Sequence, residues 1–220
     1  VRIWGQAGRE LKTEASYVQA MTQTSPTPVT AAVLIIGDEI LSGRTRDTNL
    51  HTIARFLGAL GIDLMEARTV GDRQAQIVEA LNTLRGAYDY VFTTGGIGPT
   101  HDDITVDAIA EALGVDVIVH PEARAILEVY YETRGGLNDA RLRMARVPAG
   151  SDLIPNRYTG APGIKCGNVF IMAGVPQITA GMLEALTGTL EGGATLLSET
   201  VGSWVAESEV ADLLRLTEKA

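Results

Sequence analysis

Apolar, β-branched runs alternate with amphipathic helical patterns along this chain, and that alternation restricts the fold more than any other feature. "AAVLIIG" (31–37) is a continuous apolar run ending in glycine, the pattern of a strand buried on both faces. "TRDTNLHTIARFLGALG" follows, with Leu50, Ile53, Ala54, Leu57 and Leu60 at helical spacing and Gly61 where a helix stops. "IDLMEARTVG" reads as a second strand. "DRQAQIVEALNTLRG" reads as a helix with Ile77, Ala80, Leu81 and Leu84 on one side. "YDYVFTTGG", "DDITVDAIAEALG" and "VDVIVH" continue as strand, helix and fourth strand. "PEARAILEVYYETRGG" is a helix with Pro121 in its first turn, and "NDARLRMARVP" a short helix closed by Pro148. The segment 151–165 is loop-rich with room for a hairpin. "NVFIMAG" is a further strand, and "VPQITAGMLEALTGTL" a helix with Pro176 near its start.

Strands and helices in this rhythm predict right-handed parallel crossovers, hence an α/β fold with a doubly wound, mainly parallel sheet. The domain is expected over 31–190. Residues 191–220 form a strand–helix extension of it, in which Trp204 and the apolar tail residues serve the core or a subunit contact. Residues 1–30 read as a loose leader with Met21 as the translation start. The alternative is a short helix from Arg9 to Ala20 docked on the domain.

Composition narrows the function classes. The net charge of −9 argues against nucleic-acid binding, which needs a Lys/Arg excess on some face. The single cysteine, Cys166, cannot form an internal disulfide and has no basic neighbour pattern that would activate it, which suits an inert thiol in a reducing cytoplasm. No run is long and apolar enough for a membrane span.

The stretch "TTGGIGPTHDDIT" (93–105) stands where a strand hands over to a helix. In open α/β sheets, ligands bind beyond the carboxyl ends of the strands. Glycines there let backbone approach a ligand, and successive N–H groups with a helix N-terminus behind them form an anion cradle. Aspartates beside an anion make sense if a divalent cation bridges them, and Mg²⁺ takes one or two carboxylates with phosphate oxygens and water. The competing reading is a tight turn with Asp102 or Asp103 as a helix cap. Two further strand ends carry acids beside glycine: "GDEILSGRTRDTN" (37–49) and "TVGD", ending at Asp72. Convergence of the three on one sheet edge favours a site. Among the remaining candidates, Arg44 and Arg46 either pair with phosphate or are solvated, and Lys165 is a weaker phosphate ligand. His101 is expected as an exposed loop residue, and His51 and His120 as structural.

"IIGDEILSGRTRDTN", "TVGD", "TTGGIGPTHDDIT", "APG" and "AGVP" together resemble the molybdopterin-binding domain family over residues 31–215. That family includes molybdopterin adenylyltransferases and the amino-terminal domain of competence/damage-inducible (CinA-type) proteins, and the second likeness is the nearer. The resemblance implies a three-layer α/β/α sandwich with molybdopterin or a nucleotide at the strand ends, and a homo-oligomer, dimer or trimer. It implies catalytic and metal-binding roles for Asp72 and Asp103. It places the ligand on Gly37, Asp38, Glu39, Ser42, Asp47 and Asn49 of the first loop, and on Thr94, Gly95, Gly96, Gly98, Pro99, Thr100, Asp102 and Thr105 of the glycine stretch. Gly163, Gly174 and Pro176 complete the set. The implied activity is Mg²⁺-dependent work on a nucleotide phosphoanhydride, either adenylyl transfer to molybdopterin or hydrolysis of ADP-ribose-type pyrophosphates. CinA-type proteins carry a separate deamidase domain at the carboxyl end, which this length does not accommodate. Two motifs depart from the CinA pattern: "NRYTGAPG" (156–163), and "AGVPQIT" (173–179) with Ile178 where those chains have glutamate. An apolar side chain cannot bind metal or accept hydrogen bonds. This departure favours the alternative of a non-catalytic ligand-binding module.

Overall fold

The computed structural model describes residues 28–193, 204 and 206–218. Residues 1–27 of the expected leader and the expected strand of the tail lie outside these residues, and Val29 and Thr30, expected in the leader, open the first strand.

The central sheet has six strands in the order β2-β1-β3-β8-β7-β6. β1 (Val29–Ile36), β2 (Ile62–Val70), β3 (Tyr90–Thr94) and β8 (Val169–Met172) run parallel. β7 (Gly163–Cys166) and β6 (Asp152–Ile154) add antiparallel strands at one edge. Alternation along the inner strands explains why they read as unbroken apolar runs. Ala32, Leu34 and Ile36 of β1 face one layer of helices, and Ala31, Val33 and Ile35 face the other. The first layer is α3 (Gln74–Ala87) and α4 (Thr105–Leu113), which bury Ile77, Leu81, Leu84 and Ile109. The second is α2 (Asn49–Ala59) and α7 (Pro176–Ala185), which bury Ile53, Leu57, Met182 and Leu183. Phe92 and Phe170 stack between neighbouring strands at 4.8 Å, with Tyr90 edge-on to Phe170 at 5.8 Å. Each pair contributes about 0.5–1.5 kcal/mol beyond area burial. The expected three-layer α/β/α sandwich is the observed architecture.

Details depart from the sequence expectation. A short helix, α1 (Asp38–Leu41), occupies the first ligand loop. "VDVIVH" gives β4 (Val117–Val119), which lies outside the main sheet and pairs antiparallel with β5 (Arg146–Pro148). Its side chains show why: Ile118 and Val119 are about two-fifths exposed, so this strand was never buried on both faces. α5 (Pro121–Tyr131) starts at Pro121 as expected, with the Ala123 N–H donating to His120 Nδ1 as a cap. The short helix after it ends early: α6 (Asp139–Leu142) passes into a 3-10 turn (Arg143–Ala145) and then into β5. β6 and β7 realise the hairpin in the loop-rich segment. The tail helix is α8 (Glu207–Glu218). Trp204 is fully exposed, so it serves no core among the described residues.

Candidate functional site

The chain passes from β1 to β2 on one side of the sheet and then to β3 on the other side of β1. This reversal opens a crevice at the carboxyl ends of β1 and β3, the place where doubly wound sheets bind ligands. Gly95 and Gly96 follow β3 there with φ of 103° and 67°. A Cβ on Gly95 would run into the Ile36 carbonyl at the end of β1, and one on Gly96 into the Thr105 hydroxyl. Only glycine lets the two strand ends approach so closely. The Thr105 N–H donates to the Gly96 carbonyl at 3.1 Å, which seats the first turn of α4 directly behind the glycine turn. The Gly95 N–H donates to the Met172 carbonyl at 3.2 Å, while the Gly96 and Gly98 N–H groups have no partner among the described hydrogen bonds; these two and the helix N-terminus favour an anion.

A cleft of about 720 Å³ opens over this turn, within the range of small-molecule sites. The structure brings Glu39, Asp47, Asn49, Thr94, Gly95, Gly96, Gly98, Pro99, Asp103, Gly174 and Pro176 to its lining. Gly37, Asp38, Ser42, Asp72, Thr100, Asp102, Thr105 and Gly163 are not part of that lining. Thr100 organises the loop: its N–H donates to Asp103 Oδ2 at 2.7 Å, and its hydroxyl lies 2.5 Å from both Asp102 Oδ1 and Asp103 Oδ2. The Thr100 hydroxyl and then Asp102's own N–H hold the Asp102 carboxyl below its usual range. The Arg143 guanidinium donates to the Asp103 carbonyl at 3.2 Å, tying this loop to the segment before β5.

Asp72, at the end of β2, accepts the Asp38 N–H at 2.8 Å, and Asp38 pairs with Arg73 at 3.2 Å. Asp47 accepts the N–H groups of Asn49 and Leu50, so it caps α2 while facing the cleft. Asn49 is 3% exposed; its Nδ2 donates to the Gly174 carbonyl at 2.8 Å, and its Oδ1 has no partner among the described residues. Gly163 is packed against Met182 and Ile171 in the core. Among the basic candidates, Arg46 lines the cleft, Arg44 bonds the Ser42 hydroxyl at 3.1 Å on the surface, and Lys165 sits 6.0 Å over the Phe170 ring. His101 and His51 are exposed, and Cys166 is a half-buried free thiol.

Residues 32–192 match the family described as "Probable molybdopterin binding domain". The chain belongs to the molybdopterin-binding domain family. A CinA-like protein of Desulfovibrio desulfuricans is 35% identical over 196 residues, 83% of this chain and 46% of that protein. A protein of Caenorhabditis elegans named "Probable FAD synthase" is 33% identical over 189 residues, 77% of this chain and 36% of that protein. The chain thus spans less than half the length of either curated relative. The crystal structure of the protein CinA with unknown function from Thermoplasma acidophilum superposes with a TM-score of 0.67 at 34% identity, covering 73% of this chain and 98% of that one.

In this molybdopterin-binding domain the sequence did not disclose one wall of the cleft. Tyr131, Arg141 and Met144 line it from α5, α6 and the 3-10 turn, and Asn156 and Thr159 from the loop between β6 and β7. Asn156 and Thr159 fall in the "NRYTGAPG" stretch, whereas the one local signal of the other three was the Asn138 cap that starts α6. Ile178 lines the cleft and packs against the core beneath it.

Proposed function

We propose that the cleft binds molybdopterin or a nucleotide and acts with Mg²⁺ on a nucleotide phosphoanhydride, by adenylyl transfer to molybdopterin or by hydrolysis of a dinucleotide pyrophosphate. The observation that carries this reading is the Gly95–Gly96–Gly98 turn, which has no room for a Cβ and lies against the α4 N-terminus at the switch point of the sheet. In this arrangement the backbone amides hold phosphate oxygens, and Arg46 adds charge at the cleft. The donor set suits a metal that arrives on the ligand. Among the described residues, no three His, Cys, Asp or Glu side chains are grouped to hold an ion alone. Asp72 and Asp103 each use Oδ2 in a described hydrogen bond and Oδ1 in none. Two carboxylates with phosphate and water are the ordinary Mg²⁺ shell. When bound, Mg²⁺ would offset charge building on the phosphoryl group. Asp103, oriented by Thr100, and Asp72, fixed by the Asp38 amide, would hold that ion.

Ile178 favours a second reading, a module that holds the same ligand without turnover, because an apolar side chain faces the cleft where CinA chains place a carboxylate. Either reading suits a cytoplasmic protein and a homo-oligomer, for which the exposed Ile126 and Val129 of α5 offer apolar surface. Among the described residues no helix is long and apolar enough to cross a membrane.

Thermal denaturation with ATP, ADP-ribose, FAD and molybdopterin, with and without Mg²⁺, tests the proposal. A ligand at 100 times its Kd adds about 2.7 kcal/mol of stability, which at this size raises Tm by roughly 5–10 °C. A gain that requires Mg²⁺, with product release, supports the enzyme. A gain without product supports the module. No shift with any of the four refutes both.

A further inference from the structure

We propose that Tyr131 and Arg141 form the stacking wall on which the ligand's planar heterocycle, a nucleobase or a pterin, is held. The inference rests on the reading of the cleft as a phosphorylated-ligand site and assigns its second end. The Arg141 guanidinium lies 4.2 Å over the Tyr131 ring, and both residues line the cleft.

The chain builds this pair deliberately. Gly135 and Gly136, with φ of 88° and 74°, turn the chain after α5, and the Gly136 N–H donates to the Tyr131 carbonyl at 2.9 Å. The Asn138 side chain accepts the Arg141 N–H at 2.9 Å and so fixes the start of α6. Arg141 Nη1 then donates to the Gly136 carbonyl. Tyr130 meets Tyr131 edge-on at 5.0 Å, and Tyr131 packs on the small cluster of Ala123, Leu127 and Ala145. The guanidinium is therefore positioned by a carbonyl and a ring.

Among the described residues Arg141 pairs with no carboxylate, in a chain of net charge −9. An arginine held over a ring, in the lining of a cleft, is a surface for a second π-system. Such stacking tolerates different rings because every base has a π-face, so nucleobase and pterin share the chemistry. The glycine turn supplies no such surface, and a ligand with an anionic end and a flat end would use both.

The test is isothermal calorimetry with Mg²⁺ on the full chain and on Tyr131→Leu, Tyr131→Phe and Arg141→Met, each checked for an unchanged melting temperature. The probes are ADP, 6-hydroxymethylpterin diphosphate and inorganic pyrophosphate, which lacks a ring. Tyr131→Leu and Arg141→Met should weaken at least one ring-bearing probe about tenfold or more and leave pyrophosphate within about twofold. Tyr131→Phe keeps the ring face and should stay near the parent. The probe that loses affinity identifies the ring. The assignment is overturned if ring-bearing probes bind the parent no tighter than pyrophosphate, if the variants weaken all three alike, or if they weaken none. If the parent binds none of the three, the phosphorylated-ligand reading itself fails and the stacking wall falls with it.

Discussion

Gly96 and Gly43 have nearly the same backbone conformation, φ 67° and 73°, in opposite surroundings. A Cβ on Gly43 would meet nothing within 4 Å, whereas one on Gly96 would overlap the Thr105 hydroxyl and lie 3.1 Å from the Thr105 Cβ. An alanine at either position carries the left-handed penalty of about 1–2 kcal/mol, offset by about 0.4–1 kcal/mol from a stiffer unfolded chain. Gly43→Ala should therefore cost about 1 kcal/mol. Gly96→Ala adds an overpacking term of about 1–3 kcal/mol, for a total near 2–4 kcal/mol. With a urea m-value of about 2 kcal/mol/M, the two variants should differ in midpoint by about 1 M. Thr105→Ala supplies the control. Its hydroxyl is buried with no described hydrogen-bond partner, so removing it strands nothing. In the Gly96→Ala background it should recover at least about 1 kcal/mol, a coupling outside additive error. Urea denaturation followed by circular dichroism measures the parent, the three single variants and the double variant. Gly96→Ala within about 0.5 kcal/mol of Gly43→Ala, or no recovery from Thr105→Ala, would refute the claim that the turn is held against α4.

Asp103→Asn keeps shape but removes charge; turnover should fall about 10²-fold, the scale of one lost electrostatic contact in a site, and Mg²⁺ should no longer tighten ligand binding in calorimetry. Ile178→Glu introduces a carboxylate at the cleft; if that position limits turnover, ADP-ribose hydrolysis should rise at least about tenfold, and an unchanged rate would remove Ile178 from the account. Asp89 accepts the Thr30 N–H at 2.7 Å and the Thr30 hydroxyl at 2.8 Å, and these bonds, the backbone one first, hold its carboxyl below its usual value. That stabilisation is full above the unfolded value, near pH 4, and is lost as pH falls through the lower folded value. Asp89→Asn should accordingly flatten the acid limb of the stability–pH curve and leave the slope near neutrality unchanged.

The inner strands and the helices that cover them were readable because their chemistry is periodic. Val33 and Leu34 point to opposite layers and both must be apolar. The glycine turn was readable because its positive φ and close approach leave few residue choices. "VDVIVH" shows where legibility ends: a β-branched run specifies a strand but not its partner, and here the partner is Arg146–Pro148, a segment with helical spacing before it. The first ligand loop shows a second limit. Asp47 and Asp72 look alike as acids near strand ends, yet one caps α2 in the cleft lining and the other accepts the Asp38 amide outside that lining. The Tyr131–Arg141 wall was hidden because it depends on two helices meeting, which no local spacing encodes.

The cleft has walls of unequal strength. Its floor is the ends of β1, β3 and β8, whose side chains anchor two large cores, while the α5–α6 side rests on a cluster with only Ala123, Leu127 and Ala145 fully buried. Cooperative opening follows buried apolar contact, so this side should open locally at a small fraction of the global unfolding free energy. Amide exchange would show it as fast deuterium uptake through residues 121–148 against a protected floor. The Arg143 bond to the Asp103 carbonyl joins that breathing segment to the loop beside the glycine turn. A ligand that spans both walls would slow exchange furthest from the strands, where the protein alone is loosest.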